Sequence, residues 1–441
     1  YMHSEIEIWV NATSSEERKY IIDVLFSNFL GISYKLFVDD QILDYHIRFG
    51  SRELVIRDRF WGIYKEEPLA YLIEAALPRV SFLVDYPYIL EKDIPLLYGE
   101  DEFVVSKECM ICGIDIFASS FFMLVRWEEY INRTRDSHGR FPGADSIAYK
   151  NNFLHRPIVN EYVEMLWNML KVLGYTGKRK EQKFELVLTH DIDIMKSINP
   201  LRAIAGDILK RRTFKQALLR IPSVFKDPVN TYSFLMKKSE KLGIKSHFYF
   251  MAVDQRDNDF DTPYYLNLKR FRRLIKTILK RGHFIGFHPG YVTYKNKEVW
   301  RKEKGRLEQV LGKSVIEGRQ HYLMMEVPYT LRIWDEEGME VDSSLGYADK
   351  EGFRCGTGNR FPVFDFLERK VLTLYEIPLI VMDGTLNFYR NLTKEQAFEI
   401  LSYYIACGKK YSMPVTFLFH NSSFDSQRWR GWKQMYKKLF V

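Results

Sequence analysis

The stretch that decides the fold is Leu186-Val187-Leu188-Thr189-His190-Asp191-Ile192-Asp193. An apolar run with the character of a buried strand ends in two aspartates. Side chains alternate along a strand, so Asp191 and Asp193 point to the same side. Two carboxylates at the mouth of a buried strand repel each other and are costly to desolvate. A metal ion or a catalytic proton offsets that cost; a solvated loop carrying Asp-x-Asp is the competing reading of these residues alone.

The downstream sequence decides between the two. Gly282-His283-Phe284-Ile285-Gly286-Phe287-His288-Pro289-Gly290-Tyr291 reads as a second strand ending in a polar cluster. Arg319-Gln320-His321-Tyr322 is a third such cluster, and Val415-Thr416-Phe417-Leu418-Phe419-His420-Asn421 is a last apolar strand with a histidine at its end. Strand ends that deliver Asp, His and Arg in order are the layout of an α/β barrel site, where the chemistry collects at the C-terminal ends of the strands.

From about Phe184 to the C-terminus these motifs resemble, in order, those of the polysaccharide deacetylases, the family of chitin, peptidoglycan and NodB-type enzymes. Thr189-His190-Asp191-Ile192-Asp193 resembles the first motif, Gly282 to His288 the opening of the second, Arg319-Gln320-His321-Tyr322 the third and Leu418-Phe419-His420 the last. The resemblance implies an α/β fold: a distorted (β/α) barrel of the deacetylase type, here with a smaller N-terminal α/β domain as in a bacterial subgroup of such proteins. It implies hydrolysis of an N-acetyl group on a carbohydrate with a divalent metal, zinc first among the candidates. Asp193 and His288 would be metal ligands. Asp191 would be the general base, Arg319 would hold it ionised, His420 would protonate the departing amine and the backbone N–H of Tyr322 would steady the oxyanion.

Three departures from the family pattern matter. The second motif usually offers another histidine four residues on, where this chain has Val292. The proline of the third motif is His321, and His190 stands where phenylalanine is usual. A zinc-like ion wants at least three protein ligands and an open position, so His321 is read as the replacement third ligand. The rivals are a catalytically silent glycan-binding barrel that lost a ligand, and a membrane-surface scaffold working through the basic segment 201–226.

Composition bounds the rest. With 441 residues, 46% of them hydrophobic, the chain is globular and long enough for two or three domains. No run approaches the ~20 apolar residues of a membrane span. No signal peptide is visible at Tyr1-Met2-His3-Ser4-Glu5, which sets a cytoplasmic location as the expectation. Cys109, Cys112, Cys355 and Cys407 are too few for a disulfide framework, and Cys109-x-x-Cys112 has no second pair to make a zinc knuckle. The net charge of +8 is spread over helix-like segments such as 269–280, with Phe271, Leu274, Ile275 and Leu279 inward, and no nucleic-acid motif is present. An acidic glycan or an anionic membrane surface remains as a partner for that charge.

Residues 1–150 read as an N-terminal α/β accessory domain, with a helical bridge to about 180 and the barrel over 181–441. A strand at Ile6 to Val10 precedes a helix capped by Ser14 or Ser15 and closed by Gly31. Short strands follow at 34–38, 43–49 and 54–57. Residues 113–132 read as one long helix, 133–157 as loop, and Pro157 opens a helix to about Leu173. Barrel strands are expected at 184–189, 246–252, 283–287, 315–319, 372–377 and 415–420. The insertion 201–226 reads as a flap over the site in preference to a membrane-lying helix. Asp342 to Tyr347, Gly352-Phe353-Arg354 and Asp383 read at least as readily as structural loop residues as parts of the sugar site.

Overall fold

The computed structural model describes residues 5–195, 200–209, 212–219 and 227–440. The described residues form seventeen strands: β1 (Ile6–Val10), β2 (Tyr34–Val38), β3 (Tyr45–Phe49), β4 (Arg52–Ile56), β5 (Ser81–Val84), β6 (Asp93–Leu96), β7 (Gly99–Val105), β8 (Cys109–Ile114), β9 (Glu185–Ile192), β10 (His247–Phe250), β11 (Phe284–Phe287), β12 (Glu317–Gly318), β13 (Val341–Asp342), β14 (Phe361–Asp365), β15 (Lys370–Glu376), β16 (Leu379–Met382) and β17 (Pro414–Leu418). They form a six-stranded sheet in the order β2-β1-β3-β4-β8-β7, a two-stranded ribbon β5-β6, and a nine-stranded sheet in the order β14-β15-β13-β12-β11-β10-β9-β17-β16.

The nine-stranded sheet carries the expected α/β architecture. From β13 round to β16 every neighbouring pair is parallel, and only β14 runs against its neighbour. Parallel strands buried on both faces read as continuous apolar runs, as β9, β11 and β17 do. The sheet is curled but open, with β14 and β16 as its edges among the described residues, so the expected barrel is not closed by hydrogen bonds. Pro362 in β14 suits an edge strand, where a missing N–H costs nothing. Close approach matters at β12: a Cβ on Gly318 would lie 1.9 Å from the Phe287 carbonyl oxygen, so only glycine lets β11 and β12 pair there.

The six-stranded sheet packs against the first helical segment, Ser15–Asp23 continued by a π-helical turn Val24–Leu30. Gly31 closes it at φ 67°, as its position after the apolar stripe predicts. Ser14 occupies the capping position, but at φ 50° and without a side-chain cap bond. The long helix expected over 113–132 is three pieces. Its first residues finish β8, a helix Ile116–Val125 follows with every residue buried, and the chain breaks at Arg126 (φ 61°) before a short turn Glu128–Ile131. Arg126 makes that break because its guanidinium is needed inside: it binds Glu128 and Glu129, each at 3.0 Å, and the Tyr347 hydroxyl at 2.8 Å. The helix after Pro157 spans Ile158–Val172 as expected.

Leading and trailing parts share one hydrophobic core. Buried polar contacts join them as well: Arg354 forks onto Glu129 at 2.6 and 2.9 Å, and the Tyr20 hydroxyl donates to the Pro362 carbonyl at 2.8 Å. Removing one partner of such a buried ion pair typically costs about 3–5 kcal/mol. Cys109 and Cys112 lie on β8 as free thiols, the second fully buried. Residues 210–211 and 220–226 of the basic segment lie outside the described residues, and with them much of the expected flap. Its helices Pro200–Leu209 and Phe214–Leu219 expose Leu209, Phe214 and Leu218.

Candidate metal and catalytic site

The C-terminal ends of the parallel strands deliver seven polar side chains to one pocket region. β9 supplies Asp191 and, one residue past its end at Ile192, Asp193; both carboxylates approach His288 Nε2. The loop after β10 supplies Asp261, the end of β11 His288, the turn after β12 Arg319 and His321, and the end of β17 His420. Asp191, Asp193, His288, His321 and His420 line a pocket of about 360 Å³, with Asp261 and Arg319 behind them and Arg140, Leu323, Met382, Phe388, Tyr389, Leu418 and Trp429 among its other walls.

Asp193 lies at the centre. One of its oxygens is 3.1 Å from His288 Nε2 and 3.7 Å from His321 Nε2; the other is 3.5 Å from His420 Nε2. Donor atoms of Asp193, His288 and His321 all lie within 4.8 Å of one another. Both rings are turned by bonds on their far nitrogens. His288 Nδ1 lies 2.6 Å from the Arg319 carbonyl oxygen, and His321 Nδ1 lies 2.7 Å from Asp261. A carbonyl oxygen can only accept, so His288 carries a proton on Nδ1, and Nε2, on the Asp193 side, is the nitrogen turned toward an ion. The carboxylate behind His321 does the same for that ring once its second proton is gone. One carboxylate oxygen and two imidazole lone pairs converging on one point fit a zinc-like divalent ion that keeps an open position.

Asp261 is itself fixed. It accepts the Tyr291 backbone N–H on both oxygens (3.0 and 3.1 Å) and the Asn258 amide at 2.8 Å. Val292, at the usual position of the absent histidine, is exposed on the turn Tyr291–Lys295 and does not line the pocket.

The charge state follows from this crowding. Burial alone would raise the Asp193 carboxyl, but the imidazoles around it, His420 and His321 foremost, hold it well below the usual carboxylate range. Burial would lower His321; Asp193 and Asp261 overturn that and raise it to about 9. Burial likewise opposes charge on His420, yet Asp383 and Asp193 raise it to about 10. Asp383 is the orienting partner of His420: Nδ1 is 2.7 Å from Oδ1, and the His420 backbone N–H donates to Oδ2 at 2.7 Å.

Asp191 sits on the other side. Arg319 Nη1 donates to its Oδ1 at 2.9 Å, and Oδ2 lies 3.8 Å from His288 Nε2. Arg319 is completely buried and braced by Thr189 Oγ1, Ser343 O and Ser343 Oγ at 2.7–2.9 Å. Behind it, Asp342 accepts from Ser344, so the Asp342 loop backs the arginine and stands outside the pocket wall. Tyr322 lines the pocket in a left-handed conformation (φ 57°), followed by Leu323 at φ 53°. Two successive non-glycine residues there are strained by roughly 1–2 kcal/mol each.

His190 is a core histidine. Its Nδ1 is 2.7 Å from the Phe419 carbonyl and its Nε2 3.1 Å from Ser246 Oγ, and burial lowers it to about 4. Sequence reasoning missed Asp261, which stands in the polar turn Asn258-Asp259-Phe260-Asp261 with nothing to set it apart from a solvated loop. It also missed Arg140 and Tyr389. Asp383 was visible as a strand-end carboxylate without its partner.

Comparison with known proteins adds little about chemistry. A family of unknown function (DUF7033) matches residues 6–174. No curated protein matches the chain. Solved structures similar to it include a candidate polysaccharide deacetylase from Mycobacterium smegmatis, 15% identical with a TM-score of 0.40, covering 59% of this chain and 83% of that one. A second, from Bordetella bronchiseptica, is described as a candidate polysaccharide deacetylase involved in O-antigen biosynthesis; it is 12% identical (TM-score 0.32) over 58% of this chain and 81% of that one. A third, from Bacillus anthracis, is described as a CE4 family pseudoenzyme, 12% identical (TM-score 0.30) over 58% of this chain and 60% of that one. Likenesses this distant say nothing of activity or substrate, so the functional reading rests on the residues of the site.

Proposed function

We propose that the chain is a metal-dependent hydrolase that removes the acetyl group from an N-acetylated carbohydrate. The observation that carries the reading is the convergence of Asp193, His288 and His321 between Asp191–Arg319 on one side and His420–Asp383 on the other. These are the residue types amide hydrolysis needs: a held divalent ion, a base for water and an acid for the amine. The motif resemblance from Phe184 onward supports the carbohydrate as substrate. So do the aromatic side chains Phe388, Tyr389 and Trp429 in the pocket wall, a residue type that suits the apolar faces of sugar rings.

Asp193, His288 and His321 would hold the ion, which lowers the pKa of water and polarises the amide carbonyl when bound. Asp191 Oδ2 takes the proton of the attacking water, and Arg319, donating to Oδ1, keeps that carboxylate aimed. The Tyr322 backbone N–H faces the developing oxyanion. His420 Nε2 gives its proton to the leaving amine; Asp383 fixes the ring and keeps it charged until then. The expulsion is driven by collapse of the tetrahedral species, and acetate and a free amino sugar leave.

The test is acetate release from N-acetylated glycan fragments, with and without added zinc after chelation. Metal-dependent release supports the reading. Glycan binding with no release under any metal favours the silent glycan-binding barrel.

A further inference from the structure

Arg140 comes from the leading part of the chain, within the region matched to a family of unknown function, yet its guanidinium lies in the wall of the candidate site. Its side chain is only 7% exposed. Asp136 binds it at 2.8 Å and also accepts the backbone N–H groups of His138 and Arg140, so the loop is built round this pair. The remaining donors go to two places. Nη1 donates to the Tyr322 carbonyl at 2.8 Å, and Nη2 to the Tyr389 hydroxyl at 2.9 Å.

Those two tyrosines stand far apart in the sheet. Tyr322 follows the fourth strand in sheet order, β12, whereas Tyr389 ends the π-helical turn Thr385–Tyr389 after the ninth, β16. Because the sheet is open, no strand pairing holds these two lips at a set distance. One planar guanidinium with fixed donor directions spans them, beside the apolar packing of Leu323 with Leu379, Leu418 and Met382. The same loop grips Tyr322 a second way. The His138 ring packs on the Tyr322 ring at 5.1 Å, and His138 Nδ1 meets the Tyr291 hydroxyl at 3.0 Å. Tyr322 is strained, and strained residues persist only where the surroundings over-determine them. Arg140 and His138 supply that constraint from outside the nine-stranded sheet.

We infer that Arg140 is a positioning residue. It holds the Tyr322 turn, and through it the pocket wall beside His321, in register with the Tyr389 lip, so the leading region completes the site and is not a separable appendage. Accepting from Arg140 also leaves the Tyr389 phenol proton free for donation to a bound sugar hydroxyl. The inference rests on the hydrolase reading for its effect on turnover, but not for its effect on the turn itself.

Two readouts on the full chain separate these. In Arg140→Ala, backbone amide exchange over residues 320–326 should quicken, where Leu323 and Met324 N–H bond back to Gln320 and His321, while 284–288 stays protected. On N-acetylated chitooligosaccharides kcat should fall by about 100-fold, the scale of an ångström-size misplacement, and added guanidinium chloride at millimolar level should restore part of it. Arg140→Lys keeps the charge beside Asp136 but cannot span three partners; it should show the same quickened exchange, and it serves where the alanine variant folds poorly. Unchanged exchange over 320–326 in both variants would overturn the inference, as would a loss of kcat that guanidinium does not relieve. If the wild type releases no acetate, the hydrolase reading falls while the exchange experiment still decides the role of Arg140.

Discussion

His321 Nδ1 lies 2.7 Å from Asp261 Oδ1, and this contact makes an unexpected histidine usable as a ligand. A ligating imidazole needs its far nitrogen held, and a carboxylate there orients the ring and raises its basicity. The bond to Asp261 leaves Nε2 as the nitrogen on the Asp193 side.

Metal affinity should therefore rise with pH. In the metal-free site His321 holds its second proton up to about 9, because Asp193 and Asp261 overcome the opposing effect of burial. An ion must displace that proton, so binding tightens as pH climbs toward 9 and protons are released on loading. Asp261→Asn should weaken binding, on the scale of the roughly 10- to 100-fold typical of such outer partners. Calorimetric titration of zinc in buffers of different ionisation enthalpy checks both. Affinity independent of pH from 6 to 9 would remove His321 from the ligand set.

Asp191→Asn should leave fold and metal content intact and cost about 100- to 10,000-fold in turnover, the usual range for a general base. Asparagine still accepts from Arg319, so the change removes the base with little disturbance of its holder. Acetate release and metal content of the same preparation are the measurements; wild-type rates would show that another group takes the proton.

His420 should set the alkaline limb of the rate profile. It acts as an acid only while protonated, and Asp383 with Asp193 keeps it so against burial, up to about 10 in the metal-free site. Asp383→Asn removes the nearest carboxylate, so the alkaline limb of kcat/KM should move to lower pH. A profile that falls in amplitude without shifting would assign Asp383 a structural part only.

Glu303 offers a stability test away from the reacting atoms. Burial pushes its carboxyl up to about 7, assisted by Asp261 and opposed by the Gly290 backbone N–H that donates to it at 2.7 Å. A folded value above the unfolded one favours the neutral form in the folded state. That contribution is complete below about 4.5 and is lost as pH rises through 7. Glu303→Gln, which keeps the acceptor for Gly290, removes this loss. At about 1.4 kcal/mol per pKa unit, the metal-free variant should gain roughly 2–3 kcal/mol on the wild type between pH 4.5 and 8. Parallel denaturation curves across that range would show that Glu303 is not held neutral.

Much of the site was legible because strand geometry carries it. An apolar run ending in Asp, His or Arg announces a strand end, and Asp191, Asp193, His288, Arg319 and His420 were all found that way. Asp261 and Arg140 were not, because each meets its partner only through the fold: 60 residues separate Asp261 from His321 and 182 separate Arg140 from Tyr322. The misread helix over 113–132 has a different cause. Its first residues, Gly113 and Ile114, continue the largely apolar run of β8, and periodicity cannot tell a buried strand from a buried helix in such a run. Gly113 belongs to β8, where a Cβ would sit 2.5 Å from the Glu100 carbonyl oxygen. The short strands β13 and β16 have two and four residues, too few for alternation to show. The curl that brings the β12 and β16 ends together is a property of the whole sheet, with no local pattern to reveal it.

The central claim is that Asp193, His288 and His321 together hold one divalent ion. Elemental analysis of the purified chain and of Asp193→Ala, His288→Ala and His321→Ala, paired with anomalous scattering at the zinc edge from crystals of the wild type, tests it directly. One ion per chain between the three residues, lost or strongly reduced in each variant, is the predicted result. Stoichiometric metal retained in the variants, or a zinc-soaked crystal with no anomalous peak among these side chains, would contradict it.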